Sequence, residues 1–500
     1  MNDDAKISKH FDSTSEMTLD LVKKRAVKGV VTLTGRTIFL QLINVGAGFL
    51  LTVFLAPDQF GTWIAVQAFL SIFSIFQDIG LAAALIQKKE TPSRKALETT
   101  FTIQNILVLC VIFVIFLATP FYRQLAHLDQ QSVYLAWALA LNFLFSSLMS
   151  IPSILLERKL EFNKLIIPGI IGQILYQLVA VFLAWKGFGI SSFTVAVLVN
   201  GFSSLILMYI INPWKPGLAF DRNSLKDLLH YGLPYQINQI LAKIKDEGII
   251  VLLTVILGPA NIGLLGWAKK WPAQLLSLVM DPVTRVTFPA FSRMQSHPDE
   301  LSKAVSKSIF FICLLVFPTI VVLVLISPML VSLIPKYIKW QPALLALGLM
   351  SVNSAWAAVS TPLTNVLNAT GRIKTTFYLM IMWTVLTWVF LPILSLYFGL
   401  NGAAAGYALV GTSSFVVIIV TLRVIKINLL ESVGKPLLGS AAMLGVLILG
   451  RQLIPVSWVG IFALSALSFI VYAISMFVLI GPSLIEDTKK FVLNIRTNLE

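Results

Sequence analysis

The stretch LPYQINQILAKIKDEGIIVLLTVIL, residues 233–257, decides how this chain is read. As a helix rising 1.5 Å per residue it is long enough to cross the roughly 30 Å hydrocarbon core of a bilayer. Its middle nevertheless carries Lys243, Lys245, Asp246 and Glu247. A charge at the bilayer centre costs at least about 2–3 kcal/mol, so such residues face a helix-bundle interior or a wet cavity. At roughly 100° per residue, Gln236, Gln239, Lys243, Asp246 and Glu247 share an arc of about 100°, with Asn238 and Lys245 opposite.

The flanking sequence supplies the scaffold. The 500 residues are 57% hydrophobic and only 12% charged, about half the charge of a soluble chain. Apolar runs near 20 residues without strand alternation predict an all-α integral membrane protein, since helices and closed barrels alone satisfy backbone groups in lipid. Fourteen runs are read, at 30–55, 60–86, 97–119, 131–155, 165–185, 189–211, 233–257, 261–284, 306–331, 341–366, 375–397, 400–421, 436–454 and 457–480. Between them roughly 28 Lys and Arg fall on one side and 5 on the other, which places both termini in the cytoplasm. The net charge of +15 is thus assigned to cytoplasmic loops, and nucleic acid is excluded as a partner.

The N-terminal segment lacks an early apolar region and is not read as a cleavable signal. Cys110 and Cys313 lie in apolar runs and are assigned to packing. The outer loops are too short to hold a catalytic domain. No phosphate-binding loop, nucleophile motif or metal-ligand pair is found, so neither cofactor nor metal is expected.

An internal repeat organises the runs. FLAPDQFGTWIAVQ at 54–67 aligns with ILGPANIGLLGWAK at 256–269, matching Pro57 to Pro259 and Gly61 to Gly263. GFGISSFTVAVLVNG at 187–201 aligns with YFGLNGAAAGYALVG at 397–411, matching Gly189 to Gly399 and Gly201 to Gly411. Six runs separate the copies, so both share one orientation. The expected plan is a cytoplasmic segment 1–27, an N-lobe 28–213, a C-lobe 225–427, a final helix pair 433–482 and a tail 483–500.

Two parallel lobes suggest rocking around a central cavity, with the stripe on the seventh run as one wall. Lys269 and Lys270 on the eighth run sit at a depth similar to Asp246 and Glu247, and leave positive charge in excess. That excess suits a phosphate or pyrophosphate. A structural alternative stands beside it: Lys243 pairs with Glu247 at i,i+4 while Lys245, Lys269 and Lys270 snorkel. Arg36, two turns into the first run, is a cavity cation or a snorkelling side chain. Asp78, and Asp281 with Arg285 at i,i+4, read as gating or structural pairs near the cytoplasmic face. Gln41, Asn44, Gln67, Gln77, Gln104 and Asn105 serve as helix glue or sugar contacts. Trp63, Trp185, Trp214, Trp340 and Trp458 read as interfacial anchors, and Trp267 and Trp271 as deeper rings able to stack on a sugar.

Fourteen runs in a 6+6+2 plan, with GPANIGLLGWAKKWPAQLLSLVMDPVTRVTFPAFSRMQ at 258–295, FGTWIAVQAFLSIFSIFQDIGL at 60–81 and LERKLEF at 156–162, resemble the MOP exporter superfamily, in its Wzx-like polysaccharide transporter branch. The resemblance implies a flippase of undecaprenyl-pyrophosphate-linked oligosaccharide, working in the bacterial cytoplasmic (inner) membrane with a cationic cavity. Its implied partners are the lipid-linked oligosaccharide, membrane lipids and other polysaccharide assembly proteins. Coupling to Na⁺, H⁺ or membrane potential stays open, as do a MATE-like exporter of small organic molecules and, more remotely, a membrane glycosyltransferase or polymerase. Family members often carry an acid nearer the outer end of the seventh run, where this chain has Ile249. Reporter fusions at Asp58 and Lys336 are expected to register outside, and at Arg94 and Lys374 inside; reversal at any one breaks the fourteen-run plan.

Overall fold

A computed structural model describes residues 19–74, 85–86, 92–221 and 243–481, with the first helix described beyond its backbone at positions 35, 37 and from 39 onward. The chain divides into two compact units, Met1–Gly263 and Leu264–Glu500.

The first unit contains α1 (Leu19–Phe54), α2 (Pro57–Phe73), α3 (Arg94–Leu125), α4 (Gln131–Leu148), a short α5 (Ser150–Arg158), α6 (Phe162–Trp185) and α7 (Ser191–Ile211). A π-helical turn, Ile244–Gly248, then leads into α8 (Ile249–Arg293), which runs on into the second unit. The helix starts follow from local chemistry. Pro57 opens α2, where its missing N–H is not needed. The Ala56 N–H donates to Gln59 Oε1 at 3.1 Å, and the Ala96 N–H to the Ser93 hydroxyl at 3.2 Å. α6 packs on α1 and α7, and α4 on α2, α3 and α7.

The second unit continues with α9 (Pro298–Leu333), a 3₁₀ turn Pro335–Ala343, α10 (Leu344–Ala369), α11 (Ile373–Thr412), α12 (Phe415–Leu422), a π turn Leu430–Gly434, α13 (Lys435–Leu453) and α14 (Trp458–Ile480). One core cluster joins α9, α10 and α12 through Cys313, Val316, Leu363 and Val417. Another lays α13 and α14 on α9, through Ile326 and Met329 against Met443, Leu447, Leu464 and Met476. The Tyr472 hydroxyl donates to the Leu314 carbonyl at 2.9 Å, which secures α14 to α9.

Among the described residues, ten helical runs are long and apolar enough to cross a membrane. Two of them hold a glycine outside the helical region, Gly258 (φ 76°) in α8 and Gly399 (φ 57°) in α11. At Gly399 the chain folds back on itself. A Cβ on Gly406 would meet Leu391 at 2.9 Å, although a straight helix would separate the two by roughly 22 Å. Large apolar side chains cover the outward faces, such as Phe113, Leu117 and Phe121 on α3 and Phe462 and Ile470 on α14. That is the surface a multi-pass membrane protein turns to lipid.

The aligned repeat positions share local geometry. Gly189 and Gly399 both have positive φ, 58° and 57°. A Cβ on Gly201 would strike Asn142 Oδ1 at 2.2 Å, and one on Gly411 would strike Asn353 Nδ2 at 2.9 Å, so each glycine seats an Asn of an earlier helix. Pro57–Gly61 and Pro259–Gly263 meet each other reciprocally. A Cβ on Gly61 would lie 1.7 Å from the Pro259 carbonyl oxygen, and one on Gly263 would lie 1.8 Å from that of Pro57. Two backbones in contact leave no room for a methyl group.

Two tryptophan expectations are corrected. Trp340 is completely buried, and Trp214 is 5% exposed against Phe101 at 5.0 Å; both are core residues. Trp185 and Trp458 are exposed, as anchors are. Gly61→Ala and Gly263→Ala are each expected to lower stability by about 1–3 kcal/mol through overpacking, with strong non-additivity in the double variant because they share one contact. Thermal unfolding of the four proteins in detergent measures both effects.

Candidate functional site

The charges of the opening stretch fall in the π turn Ile244–Gly248, which contains Lys245, Asp246 and Glu247. A π turn widens the helix, often at functional positions, and shifts side chains from the phase a regular α-helix would impose. Lys245 donates its ammonium to Asp246 Oδ1, the next residue along the turn. Asp246 is more than half exposed and Lys245 about one-fifth exposed. Lys243 and Glu247 are half-buried. α2 packs against this turn, and Ile249, Leu253 and Thr254 just beyond it are fully buried. The turn thus presents charge at the end of a tightly packed segment.

Gln236, Gln239 and Asp78 lie outside the described residues, as does the side chain of Arg36, whose backbone is in α1.

In the second unit Lys269 is exposed and Lys270 half-buried. The Lys269 ammonium lies 4.9 Å from the centre of the Tyr407 ring, and that of Lys270 lies 5.4 Å from the Trp271 ring. Each is a cation over an aromatic face, attracted by the ring quadrupole. Tyr407 is held in turn, since its carbonyl accepts from Asn353 Nδ2 at 2.7 Å. Lys269, Tyr407 and Asn353 therefore form one connected cluster on α8, α11 and α10. Sequence reasoning misses Tyr407 and Asn353. Tyr407 stands inside the repeated GYALVG segment, but nothing local pairs it with a lysine far up the chain. Trp267 is not available to stack on a sugar. It is 2% exposed, stacked on Trp340 at 5.5 Å and set edge-on to Tyr337 at 6.1 Å.

One repeat position gains meaning. Gln67 and Lys269 close the two aligned segments, and each is exposed while its preceding residues Val66 and Ala268 are buried. Ionisable residues inside apolar spans usually face a bundle interior or a water-filled cavity.

The remaining polar residues divide. Asn44 Oδ1 accepts from both Gln173 Nε2, at 3.1 Å, and Gln177 Nε2, at 2.7 Å, which ties α1 to α6. This is helix glue. Asn105 Nδ2 donates to the Phe101 carbonyl of its own helix. In LERKLEF, Arg158 donates to the Leu85 carbonyl at 2.5 Å, Leu160 takes a positive φ of 53°, and Glu161 pairs with Lys164 at 2.8 Å. The motif is a structural corner between α5 and α6. Burial raises the Glu157 carboxyl above its ordinary value there. Asp281 is half-buried and Arg285 exposed near the C-terminal end of α8.

Comparison with known proteins agrees with this architecture. Residues 50–343 match the model of a family described as polysaccharide biosynthesis protein. The teichuronic acid biosynthesis protein TuaB of Bacillus subtilis is 25% identical, over 76% of this chain and 79% of its own length. The lipopolysaccharide biosynthesis protein WzxC of Escherichia coli is 24% identical, over 67% and 69% respectively. Among solved structures, the lipid II flippase MurJ in an inward closed conformation superposes with a TM-score of 0.73 at 14% identity, covering 90% of this chain and 98% of that one. An inward-facing MATE family transporter of the MOP superfamily gives 0.59 at 15% identity, covering 77% and 94%. The last two show a shared fold. The chain belongs to the polysaccharide biosynthesis protein family and carries the fold shared by the flippase MurJ and the MATE family transporter.

Proposed function

We propose that the chain moves an undecaprenyl-pyrophosphate-linked oligosaccharide from the inner to the outer leaflet of the bacterial cytoplasmic membrane, by alternating access, for surface polysaccharide synthesis. The observation that carries this reading is the pair of exposed polar residues, Gln67 and Lys269, at the same position of the two repeat copies. A route built by duplicated halves presents equivalent positions to one passenger. Lys269 over Tyr407 joins an ammonium to an aromatic face, which suits a passenger with both anionic phosphate and sugar rings. The names of TuaB and WzxC support the class, since they refer to two different glycans and share a biosynthetic setting.

In this reading α1, α2, both arms of α8 and both arms of α11 each count as one pass, giving fourteen with cytoplasmic termini. The lobes keep the bounds 28–213 and 225–427, and the pair 433–482 follows. Lys243, Asp246 and Glu247 line the route on the seventh pass, and Gln236, Gln239 and Arg36 are assigned to it from sequence. The Lys245–Asp246 pair holds the π turn in register while Lys243 meets the passenger's phosphate. Turnover draws on Na⁺, H⁺ or membrane potential.

Lys243→Ala is expected to abolish surface polysaccharide while the protein remains inserted at normal abundance; wild-type polysaccharide in that strain overturns the assignment. Lys269→Gln is expected to cut export at least tenfold, equivalent to about 1.4 kcal/mol. Gln67→Ala should reduce it less, because an uncharged amide contributes less to phosphate binding than an ammonium. Both are read as lipid-linked glycan accumulating on the inner leaflet.

A further inference from the structure

A groove of about 600 Å³ lies where α9 begins and α12 ends, and none of its lining residues is among those assigned to transport. Lys303 and Lys307 line it from one turn of α9 to the next, and Lys426 belongs to the segment after α12. Ser302 and Ser306 add hydroxyls, and Asn428 adds an amide. The Ser302 hydroxyl donates to the Lys426 carbonyl and ties the two walls together.

The charge balance of the groove is unequal. Three lysines line it against one carboxylate, Glu431, and that carboxylate lies 3.9 Å from the ammonium of Lys435, which is not in the lining. The acids of the first turn of α9, Asp299 and Glu300, are also outside the lining. Lys303 and Lys307 are like charges at i,i+4, whose mutual repulsion an anion beside them relieves. Ammonium groups with neighbouring hydroxyls are donors suited to phosphate oxygens.

The groove's position selects the bearer of that phosphate. Leu422, the last residue of α12, and Ile427 belong to the same lining. Leu315 further along α9, and Ile419 and Leu422 at the end of α12, are large apolar side chains left exposed. The lysines therefore stand at the level where an apolar helix surface gives way to charge, which is where lipid headgroups lie. A free phosphate would use only the polar wall, whereas a phospholipid would use both.

We propose that this groove binds the headgroup phosphate of an anionic phospholipid. The bound lipid joins the start of α9, the end of α12 and the π turn Leu430–Gly434, and so holds the segment that leads into α13 while α13 and α14 pack on α9. The assignment does not depend on which glycan the chain moves.

The test uses the full chain purified in detergent with added phosphatidylglycerol or phosphatidylcholine, read by thermal unfolding and by native mass spectrometry. Phosphatidylglycerol is expected to raise Tm by about 3 °C over phosphatidylcholine and to remain bound in the gas phase. The variant K303Q/K307Q/K426Q should lose that increment, keep the wild-type Tm in phosphatidylcholine and retain less lipid. Lys374→Gln, at an exposed lysine elsewhere, should behave as wild type. If the triple variant does not fold, Lys426→Gln alone must reduce the increment while Lys426→Arg preserves it. An undiminished increment in the lysine variants overturns the proposal. An equal rise with inorganic phosphate alone overturns the choice of a lipid.

Discussion

Two carbonyl groups stand where two side chains would otherwise be. The Pro259 oxygen occupies the place of a Cβ on Gly61, and the Pro57 oxygen that of a Cβ on Gly263. In a bilayer, where apolar side chains gain little by leaving lipid for one another, close backbone approach through small residues is a principal source of helix association. The contact also sets registers. Gln67 and Lys269 each follow their glycine by six residues, about 9 Å along their own helices.

The charges obey a second constraint. Ionised groups in an apolar helix persist only with partners or water. Three arrangements answer it: Lys245 with Asp246, Lys269 over Tyr407, and Lys270 over Trp271. The first of these lies within the π turn, and the Asn353 bond to the Tyr407 carbonyl steadies the second. Neutral polar residues act differently. Asn44 with Gln173 and Gln177 uses its hydrogen bonds to join α1 to α6.

The final helix pair follows a simpler logic. α13 and α14 meet α9 through methionine and branched aliphatic side chains, with the Tyr472 bond to the Leu314 carbonyl as a polar fastening. The basic groove lies at one end of the same helix, so lipid and protein contacts act on one element.

Much of this is legible in the sequence because hydrocarbon restricts the choices so severely. Apolar runs locate the helices, and matched glycines and prolines expose the repeat; Gly189 and Gly399 share nearly one φ. The tryptophans are less legible. Trp340 and Trp214 sit at the ends of apolar runs as anchors do, yet neighbouring segments bury them, and distance along a run carries no information about such neighbours. The π-helical turn that carries Lys245, Asp246 and Glu247 is likewise invisible in a regular 100° projection. Local hydrophobicity and backbone chemistry are thus enough to establish the membrane class, the helical runs and the repeat. Packing alone decides that Gly61 meets Pro259, that Lys269 meets Tyr407 and that Trp267 belongs to the core, because each joins residues far apart in the chain.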